Sequence, residues 1–170
     1  MADKYIKIGS NGNLEEVEAT VQSAGEGNAG DIPALGADGK LDDTVMPEGI
    51  GAETIVHPTS EALSENDVVN IFDDTGTTKC RKADATDPTK QADGYVKAAY
   101  GEGANATVYT DGYLPGTGLT VGSKYFLSAD TPGTVTTTPP SGSGNIMQQI
   151  GKAVSPTAIK FEPLTPIVRA

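Results

Sequence analysis

The chain has 170 residues, 36% of them hydrophobic, with three phenylalanines, six tyrosines and no tryptophan, so it holds apolar surface for one modest core and gains further burial only by association. Its formal charge of -11 repels phosphate and its one basic run, Lys79-Cys80-Arg81-Lys82, is short, so no direct nucleic-acid partner is expected. A single cysteine excludes an intrachain disulfide, no apolar run approaches the ~20 residues of a membrane helix, and the opening MADKYIKIGS lacks the apolar stretch of a secretory signal; synthesis in a reducing cytoplasm, with no membrane partner, is the expected setting.

The acids are unevenly placed. Residues 1–54 hold eleven acids against three bases, a net of -8, while residues 55–170 hold twelve against nine, a net of -3. This divides the chain into an acidic N-terminal arm, 1–54, and a less charged body, 55–170.

In the arm, Tyr5, Ile6 and Ile8 form a strand-like opening followed by the turn Gly9-Ser10-Asn11-Gly12. Leu14, Val17 and Val21 then recur at helical spacing, with Asn13 placed to cap and Glu15 and Glu16 favourable to the helix dipole. A helix of about three turns is marginal alone, and Val17, Ala19 and Val21 also alternate with polar residues, so a strand is the competing reading. Gly25, Gly27 and Gly30 break regular structure, and Pro33, Pro47 and Pro58 predict extended chain with turns from Asp31 to Thr59. Two short apolar clusters, Ile32 to Leu35 and Leu41 to Met46, flank the turn Ala37-Asp38-Gly39-Lys40. Clusters this small cannot build a core, so the arm is expected to pack on other subunits or a lattice.

The body reads as all-β. Short β-branched or alternating runs at Val68 to Phe72, Thr77 to Arg81, Gly94 to Ala99, Ala106 to Thr110, Lys124 to Ser128, Thr134 to Thr138, Ile146 to Val154 and Ala158 to Glu162 are the expected strands. Asp73-Asp74-Thr75-Gly76 and Asp130-Thr131-Pro132-Gly133 read as hairpin turns and Pro139 to Gly144 as a longer loop. No βαβ alternation is present. The expected fold is mainly β: a small β-barrel or β-sandwich body carrying an extended N-terminal arm.

Candidate chemistry is sparse. His57 and Cys80 are single residues of their kinds, and a nucleophile pair needs them adjacent with an orienting group; the plainer expectation puts Cys80 at an ordinary strand position and His57 in the connector before Pro58. Asp38, Asp42 and Asp43 lack the spacing of a calcium loop, as do Asp73 and Asp74, and read as solvated turns. Gly116, Gly118 and Gly122 do not form a phosphate loop, and the sequon Asn105-Ala106-Thr107 is formal only. Tyr95, Tyr100, Tyr109 and Tyr113 are candidates for a sugar groove, with core or interface positions as the commoner use of strand tyrosines. No catalytic residue, metal or cofactor is expected, and no enzyme.

Against these residues, the chain resembles, nearly end to end, small virion proteins of tailed bacteriophages of the capsid decoration, cement or head-fibre type. The residues that carry the likeness are YIKIGSNGNLEEVEATVQSAGEGNAGDIPALGADGKLDDTVMPEGIG in the arm and NDVVNIF, KCRKADATDPTKQADGYVKAA, GANATVYTDG and GLTVGSKYFLSADTPGTVTTTPPSGSGNIMQQIGKAVSPTAI in the body. The element ALGADGKLDDTVMP is also similar to segments of phage fibre proteins. The resemblance implies a structural virion protein on the outer surface of the capsid, binding the major capsid protein as a homotrimer. It brings no residue roles, so the expected capsid and subunit interface rests on the arm's apolar residues: Tyr5, Ile6, Ile8, Leu14, Val17, Val21, Ile32, Leu35, Leu41, Val45 and Met46. The alternative is a head-fibre or tail-fibre module that binds a host-surface glycan or receptor through the tyrosines and the loops Tyr113 to Gly118 and Pro139 to Gly144.

Overall fold

The computed structural model describes residues 3–37, 39–42, 45–46 and 53–170, with Glu26 described by its backbone alone. It forms two compact units, residues 1–51 and 52–170, and is built almost wholly from strands.

In the N-terminal unit, β1 (Lys4–Ile8) and β2 (Leu14–Glu18) form an antiparallel hairpin in which Tyr5 faces Val17 and Ile8 faces Leu14. Leu14 and Val17 therefore lie in a strand, the competing reading of this segment, and not in the helix their spacing suggested. The physical reason is partnership: an isolated three-turn helix has no face to bury itself against, whereas the strand finds β1 five residues away. Cross-strand pairs of opposite charge, Lys4 with Glu18 and Lys7 with Glu15, favour that register. Asn13 caps nothing; its N–H donates to Asn11 Oδ1 at 2.9 Å within the hairpin loop. A short 3-10 turn at Gly25–Asn28 follows. Among the described residues, the rest of the unit is irregular chain tied by one parallel bridge between Thr20 and Pro33.

The body holds two five-stranded antiparallel sheets and a two-stranded ribbon. The first sheet contains β3 (Thr54–Pro58), β4 (Val68–Asp74), β5 (Thr77–Lys82), β6 (Gly94–Val96) and β7 (Asn105–Tyr109), in the order β3-β7-β6-β4-β5. It curls until its two outer strands meet: Thr59, just past β3, bridges Cys80 of β5, and Ser60 N–H donates to the Cys80 carbonyl at 2.9 Å. The chain continues as β8 (Tyr113–Pro115), β9 (Lys124–Leu127), β10 (Val135–Thr136), β11 (Ile146–Met147), β12 (Gln149–Ser155), β13 (Ala158–Phe161) and β14 (Ile167–Val168). The second sheet has the order β10-β9-β12-β13-β8, and β11 pairs with β14 as the ribbon.

The strands expected from alternation are present, with Gly94 to Ala99 and Thr134 to Thr138 shortened to β6 and β10 and one run broken. The run Ile146 to Val154 divides at Gln148, whose buried amide donates to the Ala92 carbonyl at 2.9 Å and accepts from the Ala92 N–H at 2.7 Å, so a side chain substitutes for a strand pairing. The β4–β5 hairpin closes on Thr75 and Gly76, both at positive φ (53° and 90°), the type I′ geometry whose twist matches the flanking strands. His57 is placed differently from expectation: it lies inside β3, opposite Ala106, rather than in a connector. The edge position of β3 tolerates Pro58, which has no N–H to offer a second neighbour.

Period-two alternation on the central strands creates two cores. Val68 and Tyr95 join Leu114, Leu127, Ile150, Ile159 and Phe161 in a cluster drawn from both sheets. Their chain neighbours Val69 and Val96 point the other way, into a cluster with Leu63, Cys80, Ala106 and Val108 inside the curl. β6 is accordingly buried at all three of its positions. The body thus combines a curled, barrel-like sheet with a second sheet packed on its outer side, and each fully buried large side chain in it contributes roughly 1.5–3 kcal/mol.

Candidate assembly surface

No described residue between 3 and 46 is buried. The N-terminal unit is organised around a carboxylate instead: Asp31 accepts from Asn28 Nδ2 at 3.0 Å, from Thr20 Oγ1 at 3.1 Å and, more weakly, from Tyr5 Oη at 3.4 Å. The bonds from Asn28 and Thr20 hold the Asp31 carboxyl below the usual carboxylate range. Asn28 in turn accepts from the Ala24 N–H at 2.6 Å, which fixes the entry to the 3-10 turn.

The hairpin register sorts the expected interface residues. Tyr5 and Val17 share the face turned towards Asp31 and are half-buried. Ile6, Ile8 and Leu14 share the opposite face with Lys4, Glu16 and Glu18, and are 60%, 73% and 75% exposed. Val45 and Met46 are half-buried beside a groove of about 380 Å³ that also takes in Thr20, Ser23, Asp31 and Pro33. Val21, Ile32, Leu35 and Leu41 are exposed outside the strands. Of the eleven, then, Ile6, Ile8 and Leu14 form one continuous apolar stripe, edged by a lysine and two glutamates. A stripe of this kind has the composition of an interface core with a charged rim.

Elsewhere the geometry supports little chemistry. Cys80 Sγ lies 3.8 Å from the His57 backbone carbonyl oxygen; it is fully buried, and burial pushes its thiol pKa up, away from the thiolate a nucleophile needs. Among the described residues no group of three or more His, Cys, Asp or Glu side chains gathers in a metal-binding arrangement. Of the acidic turn, Asp38 and Asp43 lie outside the described residues, and Asp42 accepts from Gln22 Nε2 at 3.0 Å. No helix among the described residues is long and apolar enough to cross a membrane.

The four tyrosines do not line a groove. Tyr95 is fully buried, with its ring centroid 5.4 Å from that of Tyr109 and 5.0 Å from that of Phe161, and burial, reinforced by Tyr109 and Asp111, pushes its hydroxyl pKa up to about 12. Tyr100 packs against the core inside the curl, its hydroxyl accepting from the Thr107 N–H at 3.3 Å. Tyr113 is exposed. The Pro139 to Gly144 loop borders a separate groove of about 350 Å³ with Asp130, Thr136 and Asn145.

One surface escaped the sequence reading: the outer face of the second sheet, where Lys124, Lys152 and Lys160 align across three strands. These lysines are distant in sequence, and only the register brings them together. Compared with known proteins, the chain matches no family model, no curated protein and no solved structure at a significant level.

Proposed function

We propose that the protein is a structural virion subunit that decorates and stabilises the head of a tailed phage, binding the major capsid protein at the outer surface of the assembled shell as a symmetric oligomer. The observation that carries this reading is the contrast between the two units. The body has two closed cores, whereas the described part of the N-terminal unit buries no residue and displays Ile6, Ile8 and Leu14 on one hairpin face. A segment built this way gains its burial from a partner, and assembly on the shell presents every arm with the same neighbours, other copies of the subunit and the lattice beneath them. Specific interfaces bury about 1,600 Å² in total, and several arms acting together multiply weak contacts through effective concentration. The resemblance drawn from the sequence to phage decoration proteins points to the same reading, and the burial of Tyr95 leaves the alternative of a glycan-binding fibre to exposed Tyr113 and the loops Tyr113 to Gly118 and Pro139 to Gly144.

The test uses full-length protein with Ile6, Ile8 and Leu14 replaced together by serine, mixed with heads that lack the subunit. Because all three are exposed, the body should melt as in the wild type. Occupancy on the heads, read by gel densitometry and electron microscopy, should fall sharply, along with protection of the heads against heat. Undiminished decoration by the triple variant would refute the part given to this face in assembly on the head.

A further inference from the structure

The second sheet carries a charge opposite to that of the chain. Its five strands contain three lysines and no acid, in a protein of net charge -11. The register sets the lysines in one row: Lys124 is opposite Lys152, Lys152 is opposite Lys160, and Lys160 is opposite Tyr113. All four residues are exposed, because the alternate positions Tyr125, Ala153, Ile159 and Leu114 turn into the core. With neighbouring strands ~4.8 Å apart, the three lysine positions span about 10 Å.

Like charges directly opposite one another destabilise a sheet, and little in this row offsets that. Lys160 is paired with Glu162 at 2.5 Å, but neither Lys124 nor Lys152 forms an ion pair with any described residue. Five of the body's six other cations are engaged: Lys79 with Asp74, Lys82 with Asp67, Lys90 with Asp87, Arg81 with Asn70, and Lys97 over the Tyr109 ring. On the same outer face, exposed Val154 and half-buried Phe126 give the row apolar flanks. An arrangement that costs the isolated subunit stability is explained by an anionic, partly apolar surface that covers it.

We infer that this lysine row is the docking surface for the N-terminal hairpin of a second copy of the chain. Residues 1–51 hold ten acids against three bases, and the exposed hairpin face joins Ile6, Ile8 and Leu14 to Glu16, Glu18 and a single lysine, Lys4, which pairs with Glu16 and leaves the face net negative. Both properties of the row are matched, charge by the glutamates and apolar flank by the isoleucines and leucine. A polyanion such as a nucleic acid or an acidic glycan matches the charge alone and is repelled by the remainder of the molecule. Opposed potentials of this kind fix register and exclude wrong partners. The inference rests on the proposed oligomeric assembly and names the contact that builds it: each copy gives its hairpin to a neighbour's sheet.

The experiment uses the full chain, with oligomeric mass and dissociation followed by native mass spectrometry and light scattering. Lys124→Glu with Lys152→Glu should weaken self-association by at least about tenfold, as should Glu16→Lys with Glu18→Lys, and the four substitutions combined should restore it. About 1 M salt, where the Debye length is roughly 3 Å, should weaken the wild type too. In a mixture of isotopically light and heavy protein, carbodiimide should join Lys124 or Lys152 to Glu16 or Glu18 between light and heavy chains, a readout that needs no variant to fold. A monomeric wild type, an oligomer indifferent to lysine reversal, no recovery in the combined variant, or crosslinks confined to single chains each overturns the inference. So does a lysine variant that keeps its oligomer but no longer binds heads, since the row then belongs to the capsid contact. Decoration of heads by the wild type is measured separately and stands or falls independently of these outcomes.

Discussion

Gly151 offers a sharp test of the packing, because the structure and general strand preference predict opposite signs. Glycine in a strand interior costs roughly 0.5–1 kcal/mol relative to alanine through backbone entropy, so Gly151→Ala is a routine stabilising substitution by sequence rules. In the fold, Gly151 lies in the middle of β12, paired to Phe161 on one side and Tyr125 on the other. A methyl group there meets the backbone carbonyl oxygen of Lys160 at less than any normal contact, and Ile159 Cγ2 at 2.9 Å. A flexible side chain would move aside, but a ladder carbonyl can shift only if β13 shifts with it. Overpacking of this kind costs about 1–3 kcal/mol. For a body of this size that corresponds to a fall of roughly 3–15 °C in Tm. Thermal and urea unfolding of the full chain, followed by far-UV circular dichroism and tyrosine fluorescence, measures the change. Gly101→Ala is the control: a Cβ there meets nothing within 4 Å and the backbone is not left-handed, so the effect should be neutral or slightly stabilising. A Gly151→Ala protein as stable as the wild type would refute the close approach of β12 and β13.

Three further outcomes follow from the hydrogen bonding and burial. Asp31 titrates below its unfolded value, so its contribution is fully present above the ordinary carboxylate range and is lost as pH falls through the lowered folded pKa. Protection factors against hydrogen exchange at the Thr20 and Ala34 amides, which close the Thr20–Pro33 bridge, should fall on acidification before those of the body, and Asp31→Asn should remove that pH dependence. Gln148→Ala strands the Ala92 N–H and carbonyl in a buried site and should destabilise the body by about 2–4 kcal/mol by urea unfolding; a loss under 0.5 kcal/mol would contradict the bidentate contact. Tyr95 holds its proton to about pH 12. Its raised pKa contributes stability that is present below the unfolded tyrosine value and lost as pH rises through the folded one, so Tyr95→Phe should blunt alkaline unfolding followed by absorbance near 295 nm.

Alternation revealed the longer strands because Val68, Ile71, Val108, Tyr125, Leu127 and Ile159 each occupy a position that one buried face dictates. It failed where an element is too short to show a period, as in β8 and β14, and it left the choice open at β2, where helical spacing competes with alternation. There the decisive term is the presence of β1, a non-local fact that helical spacing does not encode. The apolar residues of the arm were legible one by one. Their grouping into Ile6, Ile8 and Leu14 against Tyr5 and Val17 depends on register, and so does the lysine row, whose members lie on three strands separated by loops of unequal length.

Because Val68 and Val69, like Tyr95 and Val96, are consecutive residues serving opposite cores, neither core has a private boundary. A side chain cannot leave one cluster without displacing the strand that fills the other. The body is therefore expected to show no partly melted intermediate with one core intact, and its central amides should exchange only through global opening. A body with that property holds its shape until it loses all of it, so a load applied at one sheet is transmitted to the other rather than absorbed.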